Sequence, residues 1–230
     1  MTAASPNRQP PTSAWSMYRA IVGIATLCAV LVVAVFKGTE ARILENQQRF
    51  LRQAIAQVLP EAAATDAVSV ASDGQLRKTI DVGALPVYLG YDADGRLVGA
   101  VVTAQGMGYQ DNIKLIYAYS FELDAIVGLK ILESKETPGL GDRVETEPHF
   151  TANFTKLDAT LAQGGDALLR PIVTVDEGQK SEPWQIDGIT GATITSEAIG
   201  AILNSSANHW VPLLENNVDR FPARSAAEER

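Results

Sequence analysis

Residues 187–196 read Asp-Gly-Ile-Thr-Gly-Ala-Thr-Ile-Thr-Ser, and they are the most informative stretch of the chain. Gly188 and Gly191 permit backbone angles that a Cβ forbids, which indicates a tight turn. Apolar residues then recur at helical spacing and predict a helix over residues 196–209. The unpaired N–H groups at the start of such a helix place a partial positive charge beside the turn. The turn and the helix start therefore suit a phosphate group.

Thr193 gives this turn a further chemical possibility, because its hydroxyl is able to form an ester with a phosphate as well as a hydrogen bond. A cofactor linked in this way would be attached permanently. The same residues also suit an ordinary loop in which Thr195 or Ser196 caps the helix. Spacing alone leaves both interpretations open, because short motifs match by accident.

A second segment, residues 136–142, reads Glu-Thr-Pro-Gly-Leu-Gly-Asp. Pro138 fixes φ and Gly139 accepts a positive φ, so the pair predicts a tight turn. Leu140 offers an apolar surface, and the Thr137 hydroxyl and the glycine N–H groups are able to bind polar atoms of a ring system. Taken alone, the segment is more typical of a surface turn between strands.

The two segments together resemble the signatures of a family of FMN-binding subunits of membrane redox pumps. The family includes RnfG of the Rnf complex and NqrC of the sodium-pumping NADH:quinone reductase. Residues 187–193 match its flavin-attachment signature, Asp-x-x-Ser/Thr-Gly-Ala-Thr, and residues 136–141 match its Glu-Thr-Pro-Gly-Leu-Gly loop. The resemblance spans residues 20–208, and two signatures in the family's order, about 50 residues apart, are hard to ascribe to chance.

The resemblance implies that FMN is attached to Thr193 through a phosphoester bond, and that the loop packs against the flavin rings. It also implies a separate flavin transferase, which uses FAD and magnesium to install the FMN. Thr193 is then an acceptor of modification, and no catalytic residue is expected. The predicted cofactor site also includes Asp187, Thr190, Gly191, Ala192, Thr195, Ser196, Glu136, Thr137, Gly139, Leu140 and Gly141.

The resemblance further implies a flavoprotein that passes electrons within an ion-translocating Rnf-type complex, with the other membrane subunits of the complex as partners. Asp142, directly after Gly-Leu-Gly, favours an RnfG-like subunit over an NqrC-like one. Two alternatives remain open. One is an FMN-binding domain that serves a different respiratory regulator or reductase, and the other is a non-redox scaffold or sensor that has lost the flavin.

The N-terminal part contains a run of 17 residues without a charge, residues 20–36. As a helix this run is about 25 Å long, slightly short of a ~30 Å hydrocarbon core. Tyr18, Arg19 and Lys37 flank the run and extend it by interfacial anchoring. A signal peptide is the competing interpretation, but the run is long for one and no small-x-small cleavage site follows it. We predict an uncleaved transmembrane helix over residues 18–37.

Charges near this helix place the large domain in the cytoplasm, although long domains often translocate regardless of such charges. The resemblance to RnfG and NqrC implies instead a domain outside the inner membrane, and we adopt that placement. The predicted organisation is a tail (1–17), the transmembrane helix (18–37), an extracytoplasmic FMN-binding domain (38–218) and a disordered tail (219–230).

Composition excludes several classes of function. All 27 acidic residues follow the apolar run with all but two of the 19 basic ones, and an acidic domain argues against nucleic-acid binding. Cys28, the only cysteine, lies in the apolar run, so an intramolecular disulfide and a cysteine-based cluster or zinc site are excluded. His149 is predicted in a surface turn and His209 near a helix end, and they form no recognisable metal-ligand set.

The domain after the apolar run is predicted to be of the α+β class. Helical spacing covers residues 39–59 and stops at Pro60. This helix either continues the membrane helix or packs as the first helix of the domain. Further predicted elements are strands at 86–91, 97–103, 113–120 and 125–133, a hairpin turn at 92–96, a short helix at 158–163 and a strand at 169–175.

Overall fold

The computed structural model describes residues 14–70, 76–77 and 86–221. Most of the two predicted tails, residues 1–13 and 222–230, therefore lies outside the described residues. The described residues fall into two compact units, one ending at Phe50 and the other starting at Leu51. The helices are α1 (Ala14–Val58), α2 (Pro148–Ala152) and α3 (Thr193–Glu215). The strands are β1 (Ala64–Val70), β2 (Leu76–Arg77), β3 (Val87–Tyr91), β4 (Leu97–Met107), β5 (Asn112–Ser120), β6 (Ala125–Glu133), β7 (Leu157–Asp158), β8 (Val173–Val175) and β9 (Gln185–Asp187).

Helix α1 contains both of the helical segments predicted near the N-terminus, residues 18–37 and 39–59, apart from Leu59 at the very end. It is therefore one continuous helix of 45 residues. Among the described residues, α1 is the helix long and apolar enough to cross a membrane. Large apolar side chains between Ile21 and Phe36 are exposed, as expected for a segment whose surroundings are not protein.

Seven strands form one antiparallel sheet in the order β2-β1-β3-β4-β5-β6-β7, and β8 and β9 pair in parallel as a second small sheet. The four strands predicted between residues 86 and 133 are confirmed, although β4 continues to Met107. The predicted hairpin turn between β3 and β4 is also confirmed. Asp92 Oδ1 accepts hydrogen bonds from Asp94 N at 2.9 Å and Arg96 N at 2.8 Å, which closes the turn.

Both faces of the large sheet are covered. On β5, Leu115 and Tyr117 belong to the core cluster that includes α3, whereas Ile116 and Ala118 belong to the cluster formed with the last turn of α1. Alternate side chains of a strand point to opposite faces, so a strand covered on both sides is apolar throughout. The predicted α+β class is confirmed, with α3 on one face of the sheet.

The predicted helix at residues 158–163 is wrong. Asp158 ends strand β7, and its Oδ1 accepts hydrogen bonds from the backbone N and the hydroxyl of Thr160, at 3.3 and 2.6 Å. Such a local side-chain bond offers the backbone an alternative to the helix. Leu161 instead pairs with Leu168 in an isolated antiparallel bridge.

The strand predicted at residues 169–175 is shorter than expected and is confined to Val173–Val175. The preceding backbone is bonded by side chains of α3 rather than by a strand. Asn208 Oδ1 accepts from Leu168 N at 3.1 Å, and Asn204 Oδ1 accepts from Ile172 N at 3.0 Å. Because these asparagines satisfy the N–H groups, the segment follows α3 without forming a ladder.

Candidate functional site

Helix α3 begins at Thr193, three residues earlier than predicted, directly after the turn that follows β9. Gly191 has φ +86°, which a residue with a Cβ adopts at a cost, and this sharp bend lets the helix start at once. The N-cap residue is Ala192, which makes no side-chain capping bond. The first turn of α3 therefore has no side-chain cap, and the exposed Thr193 is its first residue.

Thr195 and Ser196 are buried inside the first turn of α3 and do not cap it. The Thr195 hydroxyl donates to Glu136 Oε2 at 2.7 Å, and Ser196 Oγ accepts from Ile189 N at 3.3 Å. The structure therefore directs these two predicted site hydroxyls into the protein. They hold the turn in place, whereas the Thr193 hydroxyl is left at the surface.

Glu136 brings the two sequence signatures into direct contact. Its carboxylate is buried and accepts from the Thr195 hydroxyl through Oε2 and from Gln110 N, at 3.1 Å, through Oε1. It thus joins its own loop to the connection between β4 and β5 and to the start of α3. Gly141 fits tightly against the same pair: an added Cβ would lie 2.6 Å from Glu136 Oε2 and 2.9 Å from Thr195 Oγ1.

The loop after Glu136 forms the predicted tight turn. Leu140 N donates to Thr137 O at 3.1 Å, Gly139 has φ +76°, and Gly139 N donates to Asp142 Oδ1 at 2.7 Å. Leu140 is 52% exposed. The other two segments joined by Glu136 also expose large apolar side chains, namely Met107, Tyr109 and Ile194.

Asp187 lies at the end of β9, and its bonds are those of a residue that holds the chain in place. Its Oδ1 accepts from Gly178 N at 2.7 Å, which closes the connection between β8 and β9. The buried side chain of Asn153 accepts from Asp187 N and donates to Asp187 O, both at 3.0 Å. Lys180 donates to the same Asn153 Oδ1, and partial burial lowers the pKa of this lysine.

Charged side chains that sequence analysis did not identify surround the turn. Arg143 Nη1 donates to Thr190 O at 2.9 Å, and Glu177 Oε2 accepts from Thr190 N at 2.9 Å. Hydrogen bonds from the Thr190 hydroxyl and backbone hold the pKa of Glu177 below its usual range. His149 lies in α2 rather than in the predicted surface turn, and its Nε2 is 3.2 Å from Gly188 O. These residues belong to separate loops, so no local pattern links them to the turn.

A cavity of about 610 Å³ opens beside Thr193. Ligand pockets typically occupy about 300–1,000 Å³, so its size suits a flavin nucleotide. Gly141 and the rest of the loop from Glu136 contribute no residue to the lining. The walls are formed by Thr174, Val175, Asp176, Glu177, Gln179, Gly188, Ile189, Thr190, Thr193 and Glu197.

The residues at this position fit a phosphate-linked cofactor. The N-terminus of α3 has no side-chain cap, so its N–H groups and its dipole favour an anionic phosphoester at Thr193. Three carboxylates, those of Asp176, Glu177 and Glu197, line the cavity beside it. The helix start is therefore the favourable place for the phosphate, and the cavity provides room for the rest of the nucleotide.

Comparison with known proteins agrees with this site. A family model described as an FMN-binding domain matches residues 108–208. The RnfG-type subunit of an ion-translocating oxidoreductase complex from Methanosarcina acetivorans is 29% identical over 195 residues, covering 82% of this chain and 90% of that protein. The corresponding subunit of the Na(+)-translocating ferredoxin:NAD(+) oxidoreductase complex from Acetobacterium woodii is 30% identical over 81% of this chain and 84% of that protein. This chain belongs to the RnfG family of ion-translocating oxidoreductase complexes.

The fold is shared with a solved structure. The crystal structure of NqrC from Shewanella oneidensis superposes with a TM-score of 0.59 at 15% identity, covering 76% of this chain and 99% of that one. The family resemblance carried by residues 136–141 and 187–193, with RnfG favoured, is thus confirmed.

Proposed function

We propose that this protein is a membrane-anchored flavoprotein subunit that carries FMN covalently on Thr193 and passes electrons within an Rnf-type ion-translocating complex. One observation carries the proposal. Thr193 is exposed at the uncapped start of α3 and lines a cavity large enough for a flavin nucleotide. The relatives from Methanosarcina acetivorans and Acetobacterium woodii, both subunits of ion-translocating complexes, supply the class of complex.

The proposed attachment is a group transfer from FAD, catalysed by a separate flavin transferase with magnesium. Thr193 Oγ forms a bond to the phosphorus of the FMN half, and the bond from that phosphorus to the oxygen bridging to AMP breaks. AMP leaves, and the hydroxyl proton is lost to a base of the transferase or to solvent. When bound, FMN supplies redox chemistry that the protein tunes through hydrogen bonds and burial.

We infer that residues 18–37 of α1 cross the membrane, with residues 1–17 before it and an FMN-binding domain over residues 38–218 on the extracytoplasmic side. The exposed apolar surface of α1 supports the anchor. The other membrane subunits of the complex are the proposed partners. A covalent link also suits this side of the membrane, because a dissociated flavin would not easily be replaced there.

The cofactor assignment predicts a fluorescent protein. The full-length chain, expressed with a flavin transferase and denatured, should give a band that fluoresces under ultraviolet light. Its intact mass should exceed that of the unmodified chain by one FMN less one water. A chain expressed without the transferase is the matched control and should give a dark band. A dark band in the presence of an active transferase would rule out the covalent redox carrier.

The placement of the domain predicts its accessibility to protease. In spheroplasts, protease added from outside should digest the domain after α1, because the outer leaflet does not protect it. A cytoplasmic protein followed in the same sample should stay intact until the membrane is lysed. Complete protection of the domain before lysis would show that it lies in the cytoplasm.

A further inference from the structure

The peptide unit at Thr190 is held from both sides by charged groups. Glu177 Oε2 accepts from Thr190 N, and Arg143 Nη1 donates to Thr190 O, each over 2.9 Å. The two side chains come from different parts of the chain, since Arg143 lies 47 residues before Thr190 and Glu177 lies 13 residues before it. They therefore fix this peptide relative to two other segments of the domain.

Two further side chains complete a ring of charged groups around the turn. Arg143 Nη2 donates to Glu147 Oε2 at 3.1 Å, and Glu147 Oε1 is 3.5 Å from His149 Nδ1. His149 Nε2 lies 3.2 Å from Gly188 O and 3.7 Å from Glu177 Oε1. The guanidinium of Arg143 and the carboxylate of Glu177 are thus each oriented by a neighbour.

The turn is a segment in which such fixation matters. Gly191, with φ +86°, directly follows the held peptide and is conformationally the freest residue type. Fixing the backbone of one residue costs about 1–2 kcal/mol of conformational entropy, which bonds formed before the reaction offset in advance. Thr193, the proposed acceptor, is only three residues beyond Thr190.

We propose that Arg143 and Glu177 are positioning residues that hold the 188–191 turn so that the Thr193 hydroxyl is presented for transfer of the FMN phosphoryl group. This inference rests on the proposed function. In the transfer, Thr193 Oγ bonds to the FMN phosphorus of FAD as AMP leaves. A misplacement of about 1 Å costs such a reaction about 100-fold in rate, so loss of either contact should slow the transfer.

The exposure of the two side chains separates positioning from stability. Arg143 is 37% and Glu177 is 40% exposed, and ion pairs at such sites contribute about 0–1 kcal/mol to folding. Removal of either side chain should therefore leave the unfolding temperature close to that of the wild type. The rate of modification should change far more than the stability.

The test follows FMN transfer to the full-length chain in detergent, with purified transferase and FAD. Initial rates at several acceptor concentrations give kcat and KM for Arg143→Ala, Glu177→Ala and Glu177→Gln. We expect kcat to fall about 10-fold to 100-fold in the alanine variants with little change in KM. Glu177→Gln keeps an acceptor oxygen for Thr190 N and should recover most of the rate. Arg96→Ala, at the distant β3–β4 hairpin, is the matched control and should behave as wild type.

Hydrogen exchange gives a second measurement that does not depend on the transferase. The Thr190 amide should exchange faster in Glu177→Ala than in the wild type or in Glu177→Gln. Wild-type transfer rates in both alanine variants would overturn the inference and leave the proposed function standing. A parallel loss of stability that Glu177→Gln does not rescue would also overturn it, by showing a general structural role. Failure to modify the wild-type chain would instead refute the proposed function itself.

Discussion

Replacement of Thr193 by valine is expected to abolish covalent attachment of FMN, the largest effect of any single substitution on the proposed function. Valine keeps the branched shape of threonine but has no hydroxyl to form the ester. Neighbouring hydroxyls offer no substitute, because Thr195 and Ser196 are buried and bonded to Glu136 and Ile189. In-gel fluorescence and intact mass of the full-length chain, expressed with a flavin transferase, measure the outcome.

Thr193→Ser is the matched variant, because it keeps a hydroxyl at the same position in the first turn of α3. We expect it to be modified, more slowly than the wild type, since a serine side chain has more rotamer freedom than a branched one. A fluorescent band from Thr193→Val would show that another residue carries the flavin. A dark band from both variants, with wild-type unfolding temperatures, would show that the site requires the shape of threonine as well as its hydroxyl.

The strands of the main sheet illustrate what the amino-acid sequence allows one to predict. Residues 113–120 and 125–133 are continuous apolar or alternating runs, and both form strands. Strand β1 (Ala64–Val70) was not predicted, because Ala-Thr-Asp-Ala-Val-Ser-Val has neither a sustained apolar run nor a clear alternation. Its pairing with β3 supplies the order that its own residues do not specify.

The functional turn was recognisable because its information is local. Gly191 supplies the bend, and the hydroxyl residue at the helix start follows two positions later in the chain. The start of α3 was predicted too late, because Thr195 and Ser196 resemble caps in sequence although they are core residues in the fold. Propensity alone does not distinguish a hydroxyl that caps a helix from one that binds a buried carboxylate.

The surroundings of the turn could not be predicted, because they depend on residues that are distant in the sequence. Glu136 meets Thr195 across 59 positions, and Arg143 meets Thr190 across 47. Single charged residues in irregular segments have no periodicity that would distinguish them from solvated ones. Only the fold brings them to one place, so the frame that holds Thr193 emerges from tertiary structure and the acceptor from sequence.

Asn153 is the residue of this frame whose loss should cost the most stability. Its side chain is buried and bonds both backbone groups of Asp187, each at 3.0 Å, and it accepts from Lys180 at the same distance. It therefore secures β9, the strand that leads into the functional turn. Leucine has a similar volume but no hydrogen-bonding groups. Asn153→Leu would leave three polar groups without this partner.

Each buried group left without a partner costs about 1–3 kcal/mol, so Asn153→Leu should lower the free energy of unfolding by about 4 kcal/mol. Denaturant unfolding of the full-length chain in detergent, followed by circular dichroism, measures this loss. Thr151→Ala is the control, because this exposed hydroxyl bonds only within its own helix, to Pro148 O at 3.1 Å, and its removal should cost well under 1 kcal/mol. An Asn153→Leu chain as stable as Thr151→Ala would mean that water or Lys180 replaces the lost bonds, and that β9 is held in place without Asn153.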